Sequence, residues 1–368
     1  MKELWYEHWF ASIQGISSRK KREIREKIIY TELIYNIEES DTKLLEKCGI
    51  NEKEKACIKS SRDIKNWKHD YKRMEEDGIR LVVFDDPLYP THLKEFKDRP
   101  YALYVKGRLP DDDKKSVAIV GARNCTPYGK TMTLKIAEEL AKYGVQIISG
   151  MALGIDGAAH RGAINVDGET FAVLGCGVDI CYPKTHRGLY KDLIQYGGIL
   201  SEYPPGVQPL AYNFPARNRI ISALSDCVLV MEAKEKSGSL ITTDFALEQG
   251  KDIYALPGPV ESELSRGCNE LIRQGAGIIT GVKELMEDLD LFSPSLKIMG
   301  SEKNIKEKIM LESEELMVYG KLCLYPKSKQ EILDLTGLSP QKLSIILITL
   351  ELKGYISEIS KDYYIRQK

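Results

Sequence analysis

The chain has 368 residues, 43% of them hydrophobic and 29% charged, with a formal net charge of −1. That length suits two or three domains, with ample apolar material for a sizeable core. The balanced charge excludes a uniformly polybasic protein, so any nucleic-acid surface must be a local patch. The eight cysteines form no CxxC pair and no zinc spacing, which favours reduced structural thiols. No signal-peptide pattern and no apolar run near the roughly 18 residues of a membrane helix can be found. The expectation is a cytoplasmic protein with no membrane contact, no metal and no cofactor.

Residues 1–75 read as a separate helical domain. Leu4, Trp5, Trp9 and Ile13 space as one helix face. The turn Ile13-Gln14-Gly15-Ile16 has helix-hairpin-helix (or SAM-like) character. The run Arg19-Lys20-Lys21-Arg22 has two readings, a solvated basic face or a DNA contact. Short helices are expected around Leu33, Ile34 and Ile37 and around Leu44, Leu45 and Cys48. A further helix over 60–75 carries Ile64, Trp67, Tyr71 and Met74.

An α/β core spans residues 76–292. Arg80–Phe84 and Ala102–Lys106 are strands. Val117–Val120 is a buried strand that stops at Gly121. Thr126 and Pro127 then open a helix, Val145–Ser149 is the next strand, and Gly150 to Gly154 form a second glycine-bearing turn. Strand, turn, helix, strand is a βαβ unit and implies a parallel sheet. Both turns then lie at the carboxyl ends of strands, where such sheets bind ligands and helix N-termini present amides to anions. Arg123 sits in the first turn. His160, alone on the following helix, reads as structural.

Strand Thr170–Leu174 ends at Gly175-Cys176-Gly177. Pro183 starts a helix with Lys184 and Arg187, and Gly198–Ser201 is another strand. Pro215 suits a helix start, placing Arg217 and Arg219 in the first turn. Cations there oppose the helix dipole, so they face an anion or a carboxylate. Phe214 beside them offers a face for a stacked base. Cys227–Met231 is a strand, and Ser237-Gly238-Ser239 opens a helix as a third anion cradle. Strand Ile253–Leu256, helix Cys268–Gln274, strand Gly277–Thr280 and helix Val282–Leu289 close the core. Strand Gly277–Thr280 comes last, so it belongs at a sheet edge that needs cover. A homodimer contact through Leu271, Ile272 and Ile278 supplies it.

Residues 293–307 read as a linker and 308–368 as a small domain. Helices Ile309–Tyr319, Lys329–Thr336 and Ser339–Leu352, then a hairpin from Gly354–Ile356 and Asp362–Ile365, make the winged-helix pattern. Its third helix is poor in outward basic residues, which favours protein contact over DNA reading.

No GxGxxG with its acid, no GxxxxGK[ST] loop, no inferable Ser-His-Asp set and no metal cluster is present. Several anion cradles with Gly121, Arg123, Lys184, Arg187, Arg217 and Arg219 suit a polynucleotide backbone. Three readings follow: a non-enzymatic DNA-binding protein, a nucleotide-processing enzyme using Ser237-Gly238-Ser239 with Glu248, and a protein-docking adaptor whose DNA binding is incidental.

The motifs Val117-Ala-Ile-Val-Gly-Ala-Arg123, Ser149-Gly-Met-Ala-Leu-Gly-Ile-Asp156, Gly175-Cys-Gly-Val-Asp179, Ser201-Glu-Tyr-Pro-Pro-Gly206, Phe214-Pro-Ala-Arg-Asn-Arg-Ile-Ile-Ser222 and Ser237-Gly-Ser-Leu-Ile-Thr242 together resemble the DNA-processing protein A (DprA/Smf) family. The resemblance implies an extended Rossmann-like core, flanked by a small helical domain and a winged helix. It implies single-stranded DNA binding, homodimers, and loading of the RecA recombinase during natural transformation. The implied DNA pocket comprises Arg123, Phe214, Arg217, Asn218, Arg219 and the turn Ser237, Gly238, Ser239. Many members carry a basic residue shortly before the phenylalanine, where this chain has Ala211-Tyr212-Asn213. The departure implies either weaker DNA affinity or a shift of the charge elsewhere, to Lys184 or Arg187.

Overall fold

Nine strands make one sheet. They are β1 (Ile79–Val83), β2 (Ala102–Gly107), β3 (Ser116–Val120), β4 (Gln146–Ser149), β5 (Thr170–Leu174), β6 (Gly197–Ser201), β7 (Cys227–Val230), β8 (Asp252–Ala255) and β9 (Gly277–Ile278). Their spatial order is β1-β2-β6-β5-β4-β3-β7-β8-β9. The pairs β1·β2 and β2·β6 are antiparallel, and every pair from β6 to β9 is parallel. All residues of β3, β5, β6 and β7 are buried, as expected of parallel strands covered on both faces. This computed structural model describes residues 3–37, 47–289, 313–323 and 325–366. The linker 293–307 and the Leu44–Leu45 stretch fall outside the described residues.

Among the described residues five helices precede the sheet: α1 (Leu4–Ser12), α2 (Ser18–Lys27), α3 (Thr31–Tyr35), α4 (Glu52–Arg62) and α5 (Trp67–Glu76). The single helix expected over 60–75 is two, because Asn66 caps a fresh start by accepting from the His69 amide. Nor is this segment separate from the sheet. Trp9, Phe10, Trp67 and Met74 share one buried cluster with Ile79, Leu81, Tyr101 and Tyr104 of β1, β2 and the turn before β2. Polar contacts cross the same boundary. Buried Glu7 accepts from Arg25 at 2.8 Å, from Thr31 at 2.6 Å, and from the Tyr101 hydroxyl. The ring of His8 bonds Tyr104 and Asp70.

Two cations of the basic run in α2, Lys21 and Arg22, are buried, while Arg19 is 61% exposed and stays solvated. Lys21 is buried and donates to the Ala11 and Ile13 carbonyls at 2.6 and 2.7 Å. It thereby closes the C-terminus of α1, where carbonyls lack helical partners; burial lowers its pKa to about 7. Arg22 donates to the Lys97 and Arg99 carbonyls, and Lys20 to that of Gly49 at 2.6 Å. Arg19 pairs with Glu23. The four cations bind this chain's own oxygens.

Around the sheet run α6 (Thr91–Lys94), α7 (Pro127–Lys142), α8 (Ile155–Asn165), α9 (Arg187–Tyr196), α10 (Asn213–Ala223), α11 (Gly238–Glu248), α12 (Glu263–Arg273) and α13 (Val282–Asp288). β9 is an edge strand, as expected, but only two residues long. Ile278 is 48% exposed while Ile279 is buried. Leu271 and Ile272 both pack partly against the core cluster, so neither faces fully outward.

The chain divides into two compact units. The first holds the described residues up to 289 except 125–132; the second holds those eight and the described residues from 313. The second unit contains α14 (Ser313–Lys321), α15 (Lys329–Thr336) and α16 (Pro340–Leu352), with β10 (Lys327–Ser328), β11 (Ile356–Ser360) and β12 (Tyr363–Arg366) in the order β10-β12-β11. Ser339 caps α16 and Pro340 takes its first position. Leu343, Ile346, Leu347 and Leu350 fill this unit's core. Residues 309–312 of the expected first helix lie outside the described residues.

Candidate functional site

A cleft of about 770 Å³ opens beyond β3 and β7. The strand order reverses there, running out through β4, β5 and β6 on one side of β3 and through β7, β8 and β9 on the other. This is the topological switch point at which open α/β sheets place ligands. Gly121, Arg123, Phe214, Asn218, Ser237, Gly238 and Ser239 all line it.

The loop after β3 is fixed by its neighbour. Gly154 has φ +75°, and a Cβ there would collide with the Ala122 and Arg123 carbonyls, so only glycine allows this approach. The loop leaves the Arg123 side chain exposed, with its guanidinium carbon 5.4 Å from the Phe214 ring centroid. Tyr182 lies 5.6 Å from the same ring, centroid to centroid, and is 41% exposed. Its place in the aromatic surface was not foreseen, because 32 positions separate it from Phe214. Across the cleft, the Ser237 hydroxyl is 2.7 Å from that of Ser239 at the start of α11.

The second glycine turn is not an open anion cradle. The Gly150 and Ala152 amides donate to the carboxylate of buried Asp156, at 3.2 and 3.3 Å. Arg217 completes that arrangement from α10. It is buried, and its Nη1 donates to the Gly150 carbonyl at 2.9 Å and to that of Val173. Burial raises the Asp156 carboxyl above its ordinary value, against the pull of Arg217 and the two amides. Arg219 is likewise committed, donating to Glu202 at 2.6 Å. Both helix cations thus face carboxylates of this chain. Helix α10 also starts two residues before Pro215, at Asn213, whose amide group donates to the Gly175 carbonyl at 3.0 Å. The arginines therefore fall in its second turn.

Lys184 and Arg187 are exposed but do not line the cleft; Lys234 and Lys236 do, as does Ala211. Sequence reasoning missed the two lysines because nothing in the stretch after β7 shows which way the loop folds. Glu248, the acid of the enzyme reading, ends α11. It lies about 15 Å along the axis from Gly238 at the helix rise of roughly 1.5 Å per residue. Among the described residues no group of three or more His, Cys, Asp or Glu is placed to hold a metal ion, and no helix is long and apolar enough to cross a membrane. The cysteines are free, and burial pushes the Cys176 thiol up to about 11.

His160 is wholly buried on α8, with Nδ1 2.6 Å from the Thr170 hydroxyl and Nε2 without a partner. Burial, with His186, Arg217 and Arg161 nearby, lowers its pKa from 6.5 to about 3. The folded protein therefore binds fewer protons here than the unfolded chain between those values. Stability is complete above pH 6.5 and is lost as pH falls toward 3. Between pH 7 and pH 5 this imidazole should remove about 2 kcal/mol. Urea titrations at both pH values should show a smaller acid-dependent loss in His160→Gln than in the unaltered protein.

A sequence model of the family described as DNA recombination-mediator protein A matches residues 80–290. Protein Smf of Escherichia coli (strain K12) is 46% identical over 217 residues, 59% of this chain and 58% of that protein. The chain thus spans little more than half the length of that relative. The DNA processing protein DprA of Streptococcus pneumoniae (strain ATCC BAA-255 / R6) is 43% identical over 56% of this chain and 72% of its own. The X-ray structure of DprA from Streptococcus pneumoniae superposes with a TM-score of 0.68 at 33% identity, covering 78% of this chain and 99% of the other. DNA processing protein A from Helicobacter pylori, solved for its single-stranded DNA binding mode, gives 0.51 at 34% identity over 57% of this chain and 95% of its own.

Proposed function

Because the chain belongs to the DNA recombination-mediator protein A family, we propose that its cleft binds single-stranded DNA, without catalysis and without strong sequence preference. One observation carries this reading: an exposed arginine and an aromatic pair stand together at the switch point, beside a serine-rich helix start. Bases stack on Phe214 and Tyr182, as aromatic faces accept any base. Arg123, Lys236 and the Ser237–Ser239 turn take the phosphates, with Asn218 beside them. Gly121 keeps the loop close to the strand. Arg217 and Arg219 act indirectly, by holding α10 in place.

In the cell this activity serves natural transformation and DNA recombination in the cytoplasm, by protecting incoming strands and loading RecA. The second unit is a winged helix. Its third helix turns Ile345, Ile348 and Leu352 outward, and Lys342 is spent on Glu314 at 2.5 Å, so protein contact suits it better than base reading. The test of the central claim is a salt-dependent titration of labelled single strand against duplex of equal length. Single strand should bind more tightly at every salt concentration; equal affinities would end the proposal.

A homodimer through the β9 edge places two clefts side by side and raises effective strand concentration. Ile278, the most exposed of the three candidate residues, is the one to alter. Ile278→Glu should convert a dimer to a folded monomer by light scattering and circular dichroism. A variant that stays dimeric would place the contact elsewhere.

A further inference from the structure

Charge in the cleft is more restricted than its basic residues suggest. Arg217 and Asp156 are buried in the wall, where the guanidinium is spent on the Gly150 and Val173 carbonyls. At the mouth, Lys234 on the loop after β7 donates to Glu263 of α12 at 2.8 Å. Both side chains are exposed, at 58% and 69%, and both residues line the cleft. Lys234 holds the Glu263 carboxyl below its ordinary value, with Arg266 adding to the effect. Among the described lining residues, Arg123 and Lys236 are then the exposed cations with no ion pair to a carboxylate.

We propose that Glu263 is a specificity-determining residue of the cleft: it occupies Lys234 and so withholds one cation from the bound strand. This rests on the single-stranded DNA reading above. A phosphate reaching Lys234 must displace the carboxylate, and the freed negative charge then repels the strand. The cleft consequently gains little from charge alone and depends on stacking, which only unpaired bases offer. A duplex presents phosphates without exposed base faces, so it gains less. An acid in the first turn of α12 also favours the helix dipole, and this purely structural role has a different signature. It would change melting temperature and leave the salt dependence of binding untouched.

The experiment uses the full chain and a fluorescein-labelled oligothymidylate, followed by anisotropy across a salt series. Glu263→Gln should bind three- to tenfold more tightly at low salt. Its log–log salt slope should steepen by about 0.7, the increment of one further phosphate contact on a single strand. Lys234→Gln, which leaves Glu263 unopposed, should bind more weakly than the unaltered protein. The double variant Lys234→Gln with Glu263→Gln should return to within about twofold of it. If Glu263→Gln matches the unaltered protein in affinity and slope, or the double variant is as weak as Lys234→Gln, the inference is overturned while the DNA reading stands. If the unaltered protein does not bind the oligonucleotide, the DNA reading itself fails and takes this inference with it.

Discussion

Arg217→Ala is expected to cost about 2–6 kcal/mol of folding stability, from two buried carbonyls left without a donor at about 1–3 kcal/mol each. The guanidinium donates to the ends of two adjacent strands, at Gly150 and Val173, and faces Asp156. Alanine leaves two buried carbonyls without their donor and removes the cation whose charge favours the ionised form of Asp156. Asp156 would then have a folded pKa well above its unfolded value. A carboxyl so raised leaves stability intact below the unfolded pKa and loses it as pH rises. The deficit of the variant should therefore widen once pH rises past the already raised pKa of Asp156 in the unaltered protein, and adding Asp156→Asn should recover part of it. Urea unfolding at several pH values reads both effects. A variant with unaltered stability but impaired DNA binding would restore Arg217 to direct phosphate contact.

Phe214→Ala should weaken single-strand binding by about 1–3 kcal/mol, the range for losing one stacked base, or roughly 5- to 150-fold. The salt slope should not change, because no phosphate contact is removed. Arg123→Ala should do the reverse in kind, flattening the slope by about 0.7. Phe214 is half-buried, and its ring lies 3.1 Å from where a Cβ on Gly175 would be, so alanine also opens a gap. Phe214→Leu fills much of that gap without an aromatic face. It should remain folded by circular dichroism and still bind weakly. Retained affinity in Phe214→Leu would show that bulk, and not stacking, is what the strand needs.

The parts of this chain legible in advance were those governed by local pattern. The run Val117–Val120 ending in glycine, the Thr126–Pro127 start and the Ser339–Pro340 start each carry their cause within a few residues. The placing of the site at the carboxyl ends of strands also followed, since it needs only the βαβ unit. Reading failed where the partner is distant or is backbone. Arg217, just after a proline helix start, reads as facing an anion or a carboxylate, but nothing nearby in sequence points to Asp156, 61 positions earlier, or to the carbonyls it holds. Lys21 and Arg22 look like a basic patch because carbonyl partners leave no trace in side-chain composition. Lys234 and Lys236 were missed for want of any pattern that fixes loop direction. At β9 the expected edge strand is two residues long, Gly277–Ile278.

The shared core between the first five helices and the sheet governs how this protein comes apart. The described residues up to 289, apart from 125–132, form one compact unit in which helices and sheet share a buried cluster. A fragment beginning at Arg80, where the family match starts, would strand the Tyr101 and Tyr104 hydroxyls without Glu7 and His8. It would also bare the apolar surface that Trp9 and Phe10 cover. Opening α1 and opening β2 are therefore one cooperative event. Amides of the two elements should exchange with deuterium at the same limiting rate, far slower than a terminal helix on an independent domain would allow.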